Sequence, residues 1–184
     1  MRKFSRICFV AVMLGILSAS ASFEATKAEF EAKLKKAQQG DAEAQCDVGF
    51  MYANGDGVKQ DYQKAREWYE KSAALNYARA IYNLGVMYDQ GEGVKQDYTK
   101  AREYYERAAA MNDAWAISNL GFMYDQGEGV KQDYKKAREY YEKAAAMNHA
   151  GAIYNLGDMY ENGEGVKQDY KKAREYYEKA AAMN

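Results

Sequence analysis

The sequence predicts an all-α protein, an α-solenoid built from a series of paired helices. A glycine-rich segment recurs four times at intervals of 36 residues, and a fixed period of this length is typical of repeat arrays. Between its copies, apolar residues follow the spacing of amphipathic helices. Proline is absent from all 184 residues, which suits an almost wholly helical chain because proline breaks helix interiors. The segment begins at Gly55, Gly91, Gly127 and Gly163.

The first 21 residues are typical of a secretory signal peptide. A basic stretch, residues 1–6, precedes an apolar run over residues 7–17, and Ala19 and Ala21 suit cleavage after Ala21. The apolar run is short for a membrane span, so an uncleaved anchor is the less favoured alternative. We therefore expect an exported protein, periplasmic or secreted, with no integral membrane segment after cleavage.

Charge and cysteine content exclude several other classes. The formal net charge is −1, with basic residues spread along the chain, so no basic patch indicates nucleic-acid binding. Cys8 leaves with the predicted signal peptide, and Cys46 is then the remaining cysteine. A single thiol cannot form an intramolecular disulfide. Burial of Cys46 is the favoured reading, and pairing between two chains is the alternative.

The pattern of apolar residues over 22–40 predicts one amphipathic helix that caps the start of the array. Phe23, Phe30 and Leu34 lie on one side of it among lysines and glutamates, and Gly40 ends it. A solenoid needs such an end piece because its terminal units otherwise expose their core.

Four units follow, and each is predicted to hold two antiparallel helices joined by the glycine-rich segment. In the second unit, apolar spacing predicts a first helix over residues 78–90, and Gly91 suits the left-handed conformation beyond its end. Asp97 suits the N-cap of a second helix over residues 98–111, and Asn112 tolerates the left-handed conformation that ends the unit. The units are residues 41–76, 77–112, 113–148 and 149–184.

Small residues predict close packing of the two helices in each unit. A glycine inside a helix costs about 1 kcal/mol relative to alanine, so its recurrence indicates a contact that admits no side chain. Tyr105 and Ala108 are expected to face inward in the second helix, and Glu103 and Arg107 to form an exposed ion pair one turn apart. The recurring glycines are Gly49, Gly85, Gly121 and Gly157.

The repeated motif resembles the Sel1-like repeat, a relative of the tetratricopeptide repeat. The resemblance rests on Ala-Ile-Tyr-Asn-Leu-Gly-Val-Met-Tyr at 80–88, Gly-Glu-Gly-Val at 91–94 and Tyr-Glu-Arg-Ala-Ala at 105–109, and it extends over residues 41–184. It implies a right-handed superhelix of antiparallel helix pairs with a concave inner groove. Similar bacterial proteins are exported adaptors or virulence-associated factors. Some cysteine-rich secreted members carry a β-lactamase label, but this chain lacks their cysteine pair in each unit.

Function is expected where the repeats differ. Residues 127–148 and 163–184 are identical, whereas the first helices vary at three positions spaced +3 and +4, which share one helical face. By similarity to tetratricopeptide repeats, that face lines the groove. The predicted partner-binding residues are Glu43, Cys46, Phe50, Arg79, Tyr82, Val86, Trp115, Ser118, Phe122, Tyr154 and Asp158.

The expected ligand of this face is a protein or peptide partner with basic and apolar side chains. Exposed aromatic side chains are typical anchors of partners, and Asn119 and Asn155, beside the face, suit hydrogen bonds to a peptide backbone. The alternative is that the variable positions are merely exposed and drift freely.

No residue pattern indicates an enzyme, so we expect no catalytic residues, no cofactor and no metal site. The segment at 91–93 lacks the third glycine of a phosphate loop, and His149, the sole histidine, has no metal-ligand company. The serines that remain after the predicted signal peptide, Ser22, Ser72 and Ser118, lie in no hydrolase motif. Two alternatives to a binding scaffold remain: a β-lactam hydrolase, and a self-associating protein that forms a homodimer through its last helix pair.

Overall fold

The computed structural model describes residues 26–183, and these residues form helices and turns without strands. The predicted all-α class is confirmed. The predicted signal peptide and Phe23 lie outside the described residues. Among the described helices, none is long and apolar enough to cross a membrane. The helices are α1 (26–38), α2 (Ala42–Asn54), α3 (Tyr62–Ala74), α4 (Ala78–Gln90), α5 (Tyr98–Ala110), α6 (Ala114–Gln126), α7 (Tyr134–Ala146), α8 (Ala150–Asn162) and α9 (Tyr170–Ala181).

The ends of the helices follow the residues that predicted them. Gly91 adopts φ 75° beyond α4, and its N–H donates to the carbonyl of Met87. The left-handed turn therefore falls at a glycine, which adopts this conformation at little cost in free energy. Asp97 is the N-cap of α5, with its side chain accepting from the N–H of Lys100 at 3.1 Å. Asn112 takes the predicted left-handed conformation at φ 62°.

Each helix pair is held by a tyrosine ring that lies against the recurring glycine. A Cβ atom on Gly85 would lie 2.6 Å from the ring of Tyr105, and one on Gly121 would lie 2.7 Å from the ring of Tyr141. Gly49 and Gly157 meet Tyr69 and Tyr177 in the same way. The predicted close approach of the paired helices is confirmed, and the glycine is required because real Cβ atoms do not pack this tightly.

The chain forms two compact units, divided after Leu75. The first holds α1 to α3, and its core gathers Phe30 and Ala37 from α1 with Val48 and Met51 from α2. The N-terminal helix therefore covers the apolar side of the first repeat, as a capping helix should.

The second unit holds α4 to α9, and its helices pack consecutively: α4 on α5, α5 on α6, and so on to α9. Adjacent repeats meet closely at the second glycine of each linking segment. A Cβ on Gly129 would lie 2.7 Å from the Cβ of Tyr98 in the preceding repeat, and Gly165 meets Tyr134 in the same way at 2.8 Å. The glycine-rich segment thus joins two helices and also packs closely against the preceding repeat.

The prediction of an ion pair between Glu103 and Arg107 was wrong by one position. The Nε of Arg102 lies 3.5 Å from Oε1 of Glu106 instead, while the guanidinium of Arg107 lies 5.5 Å from the ring centre of Tyr104. The sequence offers both pairs at the same spacing. The ring of Tyr104 that Arg107 covers is itself stacked on the ring of Tyr88, with centroids 5.6 Å apart.

Candidate functional site

The candidate site is the solvent-exposed side of the first helices, and most of the residues predicted to lie on it are accessible to solvent. In the second unit the large apolar side chains are strongly exposed: 61% for Trp115, 45% for Phe122 and 51% for Tyr154. Arg79 is also exposed, and Tyr82, Val86 and Asp158 are partly so. In the first unit, Glu43 and Phe50 are exposed. That these residues line one groove stays a prediction.

Two predicted groove residues, Cys46 and Ser118, do not belong to this surface. Cys46 is fully buried, and Ser118 is 5% exposed. Their position borders the paired helix, as shown by Tyr82, whose ring lies 5.8 Å from that of Tyr105. A large side chain at this position reaches out over the neighbouring ring, whereas a small one stays beneath the surface. The assignment of Cys46 and Ser118 was therefore wrong, and the expected burial of Cys46 is confirmed.

Trp115 rests on the start of the next repeat. Its ring meets the ring of His149 edge-on, with centroids 4.4 Å apart. His149 is the N-cap of α8, and its Nδ1 accepts from the N–H of Ala152 at 3.0 Å. Burial lowers the pKa of His149, and the charge of Asp113 partly opposes this shift. The imidazole is thus held neutral as a capping group, which sequence reasoning missed because histidine is an unusual N-cap.

A row of carboxylates follows the same helices at their C-terminal ends. Asp89 accepts a hydrogen bond from the hydroxyl of Tyr105 at 3.2 Å, and burial raises the pKa of this aspartate. One repeat further on, Asp125 occupies the same position. The linking segments add Glu128 and Glu164. Partial burial raises the pKa of Glu128, and the nearby charge of Asp89 adds to the shift.

Sequence reasoning missed this carboxylate row, although a signal for it existed. The position of Asp89 also varies between repeats, and it lies three residues after Val86 on the same helical face. This position changes from alanine in the first repeat to an acidic residue in the later ones, so the sequence indicated that the surface becomes more negative along the array. The position reads Ala53, Asp89, Asp125 and Glu161.

Ser72, one of the serines considered above, has a structural role. The hydroxyl of Ser72 is buried and donates to the carbonyl of Ala42 at 2.6 Å, so it ties α3 to α2. Over residues 26–183, no group of three His, Cys, Asp or Glu side chains is placed to hold a metal ion.

Comparison with protein families agrees with the repeat period. The model described as "Sel1 repeat" matches four times, over residues 42–77, 78–113, 116–149 and 150–184. A search of curated proteins found no match.

Solved structures with the same repeat resemble this chain closely. A protective antigen present in uropathogenic Escherichia coli strains is 38% identical, with a TM-score of 0.77, over 84% of this chain and 33% of its own length. A Sel1 repeat protein from Oxalobacter formigenes is 36% identical, with a TM-score of 0.74, over 79% of this chain and 59% of its own. Cysteine rich protein B of Helicobacter pylori is 33% identical, with a TM-score of 0.52, over 65% and 91%. This chain thus spans a third to about three fifths of the first two relatives.

Proposed function

The chain belongs to the Sel1 repeat family, and we propose that the first-helix face of residues 76–184 binds a segment of a protein partner. The first-helix face is defined by Arg79, Tyr82, Val86, Trp115, Phe122, Tyr154 and Asp158. Sel1 repeat proteins generally mediate protein–protein interactions. The family is typically a scaffold without enzymatic activity, which supports binding over β-lactam hydrolysis.

The exposure of large aromatic side chains carries this proposal. Trp115, Phe122 and Tyr154 each leave about half or more of their side chain in water, and such exposure costs free energy unless a partner covers it. Tryptophan and tyrosine are also the residues that contribute most to interface affinity when buried. All three lie on first helices, where the repeats differ.

Amide groups beside these aromatics supply polar recognition. Asn119 lies beside the hydroxyls of Tyr82 and Tyr105, and Asn155 occupies the equivalent position one repeat later. An asparagine amide both donates and accepts, so it can pair with the backbone of an extended peptide. Aromatic anchors with interleaved amides favour an extended segment as the bound form.

The proposal includes export, with the partner met in the periplasm or outside the cell. The support is the basic, apolar and small-residue order of residues 1–21. The similarity to a protective antigen of uropathogenic strains also supports a role as an envelope adaptor or host-interaction factor.

The test is partner capture with paired variants. Wild-type protein and Trp115→Ala/Phe122→Ala are used to capture proteins from an envelope extract, with Tyr170→Ala as the control. Tyr170 is 66% exposed on a second helix, so its loss removes a surface aromatic outside the proposed face. We expect partners that the double variant loses and that wild type and Tyr170→Ala retain. Equal recovery by all three proteins would refute the proposal, and capture of this chain alone would indicate self-association instead.

A further inference from the structure

The tyrosine hydroxyls of the second helices reveal a difference between otherwise equal repeats. Each ring lies against a glycine, so each hydroxyl emerges at the same place. The hydroxyl of Tyr105 donates to Oδ2 of Asp89 at 3.2 Å, and the one proton of the Tyr177 hydroxyl is shared by Oδ1 of Asp158 and Oε2 of Glu161, each 2.6 Å away. Tyr141 is 1% exposed, yet its buried hydroxyl has no hydrogen-bond partner among the described residues.

The unpaired hydroxyl of Tyr141 faces a group of carboxylates. Asp125 lies at the end of α6, Asp158 on α8 and Glu164 in the segment after α8, and their charges all act on Tyr141. Asp125 is itself incompletely bonded: its Oδ2 accepts from Nε2 of Gln126 at 2.9 Å, whereas its Oδ1 is buried without a partner. Two buried polar atoms, one phenolic and one carboxylate, thus remain unsatisfied at one junction. Leaving such atoms unpaired is costly.

The charges around this junction have one sign. Burial raises the pKa of Asp125, and the charge of Asp158 raises it further. Burial likewise raises the pKa of Glu164, with further contributions from Asp125 and Asp158. Asn155 lies close to Tyr141 and favours its ionised form, but it completes no hydrogen bond with the hydroxyl. The charged groups that shift the pKa values of Asp125, Tyr141 and Glu164 are thus carboxylates.

We propose that this junction, formed by Asp125, Tyr141, Asp158 and Glu164, is a binding pocket for the guanidinium group of an arginine side chain. The source of the arginine, a protein partner, rests on the function proposed above. We call these four residues the acidic pocket. All of them belong to the second compact unit.

Guanidinium fits the acidic pocket better than other cations. Its five N–H donors in a planar fork can pair with several acceptors at once, and the pocket offers separate oxygens on three carboxylates and a phenol. Tyr154 lies one turn before Asp158 with half of its side chain exposed, so a planar cation entering from solvent can stack on its ring. Lysine brings a compact, strongly hydrated charge with three donors. Over the described residues, no group of three or more His, Cys, Asp or Glu side chains is placed to hold a metal ion.

The preceding junction provides an internal control. There Phe122 stands where Asp158 stands in the next repeat, and the hydroxyl of Tyr105 is already bonded to Asp89. The second carboxylate at this junction is Glu128, whose pKa is raised by the charge of Asp89. With one carboxylate fewer and no unpaired hydroxyl, this junction is not expected to bind arginine.

The experiment is an NMR titration of the isotopically labelled protein with N-acetyl-arginine amide. N-acetyl-citrulline amide, which keeps the shape but not the charge, and N-acetyl-lysine amide are the comparison probes. We expect saturable shifts of amide signals around residues 125, 141 and 158 with the arginine probe, weaker binding of the lysine probe, and none of the citrulline probe. Equal shifts with citrulline, shifts confined to other regions or no saturation would overturn the proposal.

Matched variants locate the binding. Asp125→Asn and Asp158→Asn should each weaken arginine binding about ten-fold, because each removes a charge-assisted hydrogen bond. Asp89→Asn, the same change one repeat earlier, should leave it within about two-fold. An equal loss in Asp89→Asn would mean that net charge alone attracts the probe and would refute the pocket.

If Asp125→Asn fails to fold, Asp158→Asn and Tyr141→Phe serve as the test of the pocket. Tyr141→Phe should weaken binding about three-fold, and unchanged binding in both variants would refute the pocket.

The outcome is separable from that of the proposed function. Saturable arginine binding with unaltered partner capture by Trp115→Ala/Phe122→Ala would keep the pocket and reject the aromatic face. Partner capture that depends on the aromatics, with no arginine binding, would keep the proposed function and reject the pocket.

Discussion

The backbone of Gly85 lies against the ring of Tyr105 so closely that a methyl group on the glycine would sit 2.6 Å from a ring carbon. The same contact recurs in every repeat, and it sets the distance between the two helices of each pair. In the second repeat it also places the hydroxyl of Tyr105 3.2 Å from Oδ2 of Asp89 on the first helix. One packing contact thus connects the stability of the array to the chemistry of its surface.

Replacement of Gly121 by alanine should destabilise the protein despite the better helix propensity of alanine. The gain of about 1 kcal/mol from propensity is outweighed by a clash with the ring of Tyr141, which is buried and cannot move aside, and overpacking costs about 1–3 kcal/mol. Urea denaturation followed by circular dichroism measures the change. Gly121→Ala/Tyr141→Leu is the control, since removal of the ring should relieve part of the penalty. An unchanged or higher midpoint for the single variant would contradict the account.

Loss of a helix cap should have a smaller effect. Asp97→Ala removes the acceptor for the N–H of Lys100 and should lower stability by about 1 kcal/mol. Asp97→Ser keeps a capping oxygen and should stay close to the wild type. The comparison of their denaturation midpoints checks the prediction, and it fails if the serine variant loses as much stability as the alanine variant.

Two equivalent tyrosines should respond differently to the loss of their hydroxyls. Tyr105→Phe breaks the hydrogen bond to Asp89 and should cost about 0.5–1.5 kcal/mol. Tyr141→Phe removes a buried hydroxyl that has no partner and should be neutral or stabilising. The two free energies of unfolding are compared in the absence of arginine compounds. A larger loss in Tyr141→Phe would show that its hydroxyl is bonded within the free protein.

Stability should fall as the pH drops through the range in which histidine titrates, and His149 should be the cause. Its pKa is lowered in the folded state by burial, so the unfolded chain binds the proton first. Above the unfolded value of about 6.5 both states are neutral and no penalty exists. Below it, protonation favours the unfolded chain, and the penalty grows until the folded pKa is passed.

The measurement is the difference in melting temperature between pH 7.5 and 5.5, for wild type and for His149→Asn. Asparagine keeps a capping group but does not titrate, so the variant should show a smaller decrease. The carboxylates Asp89, Asp125, Glu128 and Glu164 have raised pKa values. They act in the opposite direction at lower pH, since the folded state then binds more protons. Identical decreases in both proteins would refute a role for His149.

The sequence predicted the fold in detail because each helix end carries its own chemical signal. Gly91, Asp97 and Asn112 each have a backbone requirement that few residues satisfy, so their positions could be read without tertiary information. The glycine inside the first helix indicated a close contact for the same reason. The tyrosine that fills the contact, Tyr105, was expected only to face inward.

The surface was harder to predict because it depends on which side chains meet across repeats. Cys46 and Ser118 share a helical position with Tyr82, and periodicity assigned all three to one face, although small side chains there are buried. The hydroxyl of Tyr105 donates to Asp89, whereas that of Tyr141 has no partner and the equivalent aspartate, Asp125, accepts from Gln126 instead. Such differences arise from three-dimensional packing and leave no trace in the spacing of residues.

The central claim is that exposed aromatics of the first helices hold a protein partner. Its most direct test is the dissociation constant of a captured partner measured for wild type and for Trp115→Ala/Phe122→Ala by isothermal titration calorimetry. The account predicts a loss of affinity of at least about thirty-fold, because truncation of an anchoring aromatic costs about 2 kcal/mol or more. An unchanged dissociation constant in a variant that folds normally would contradict it.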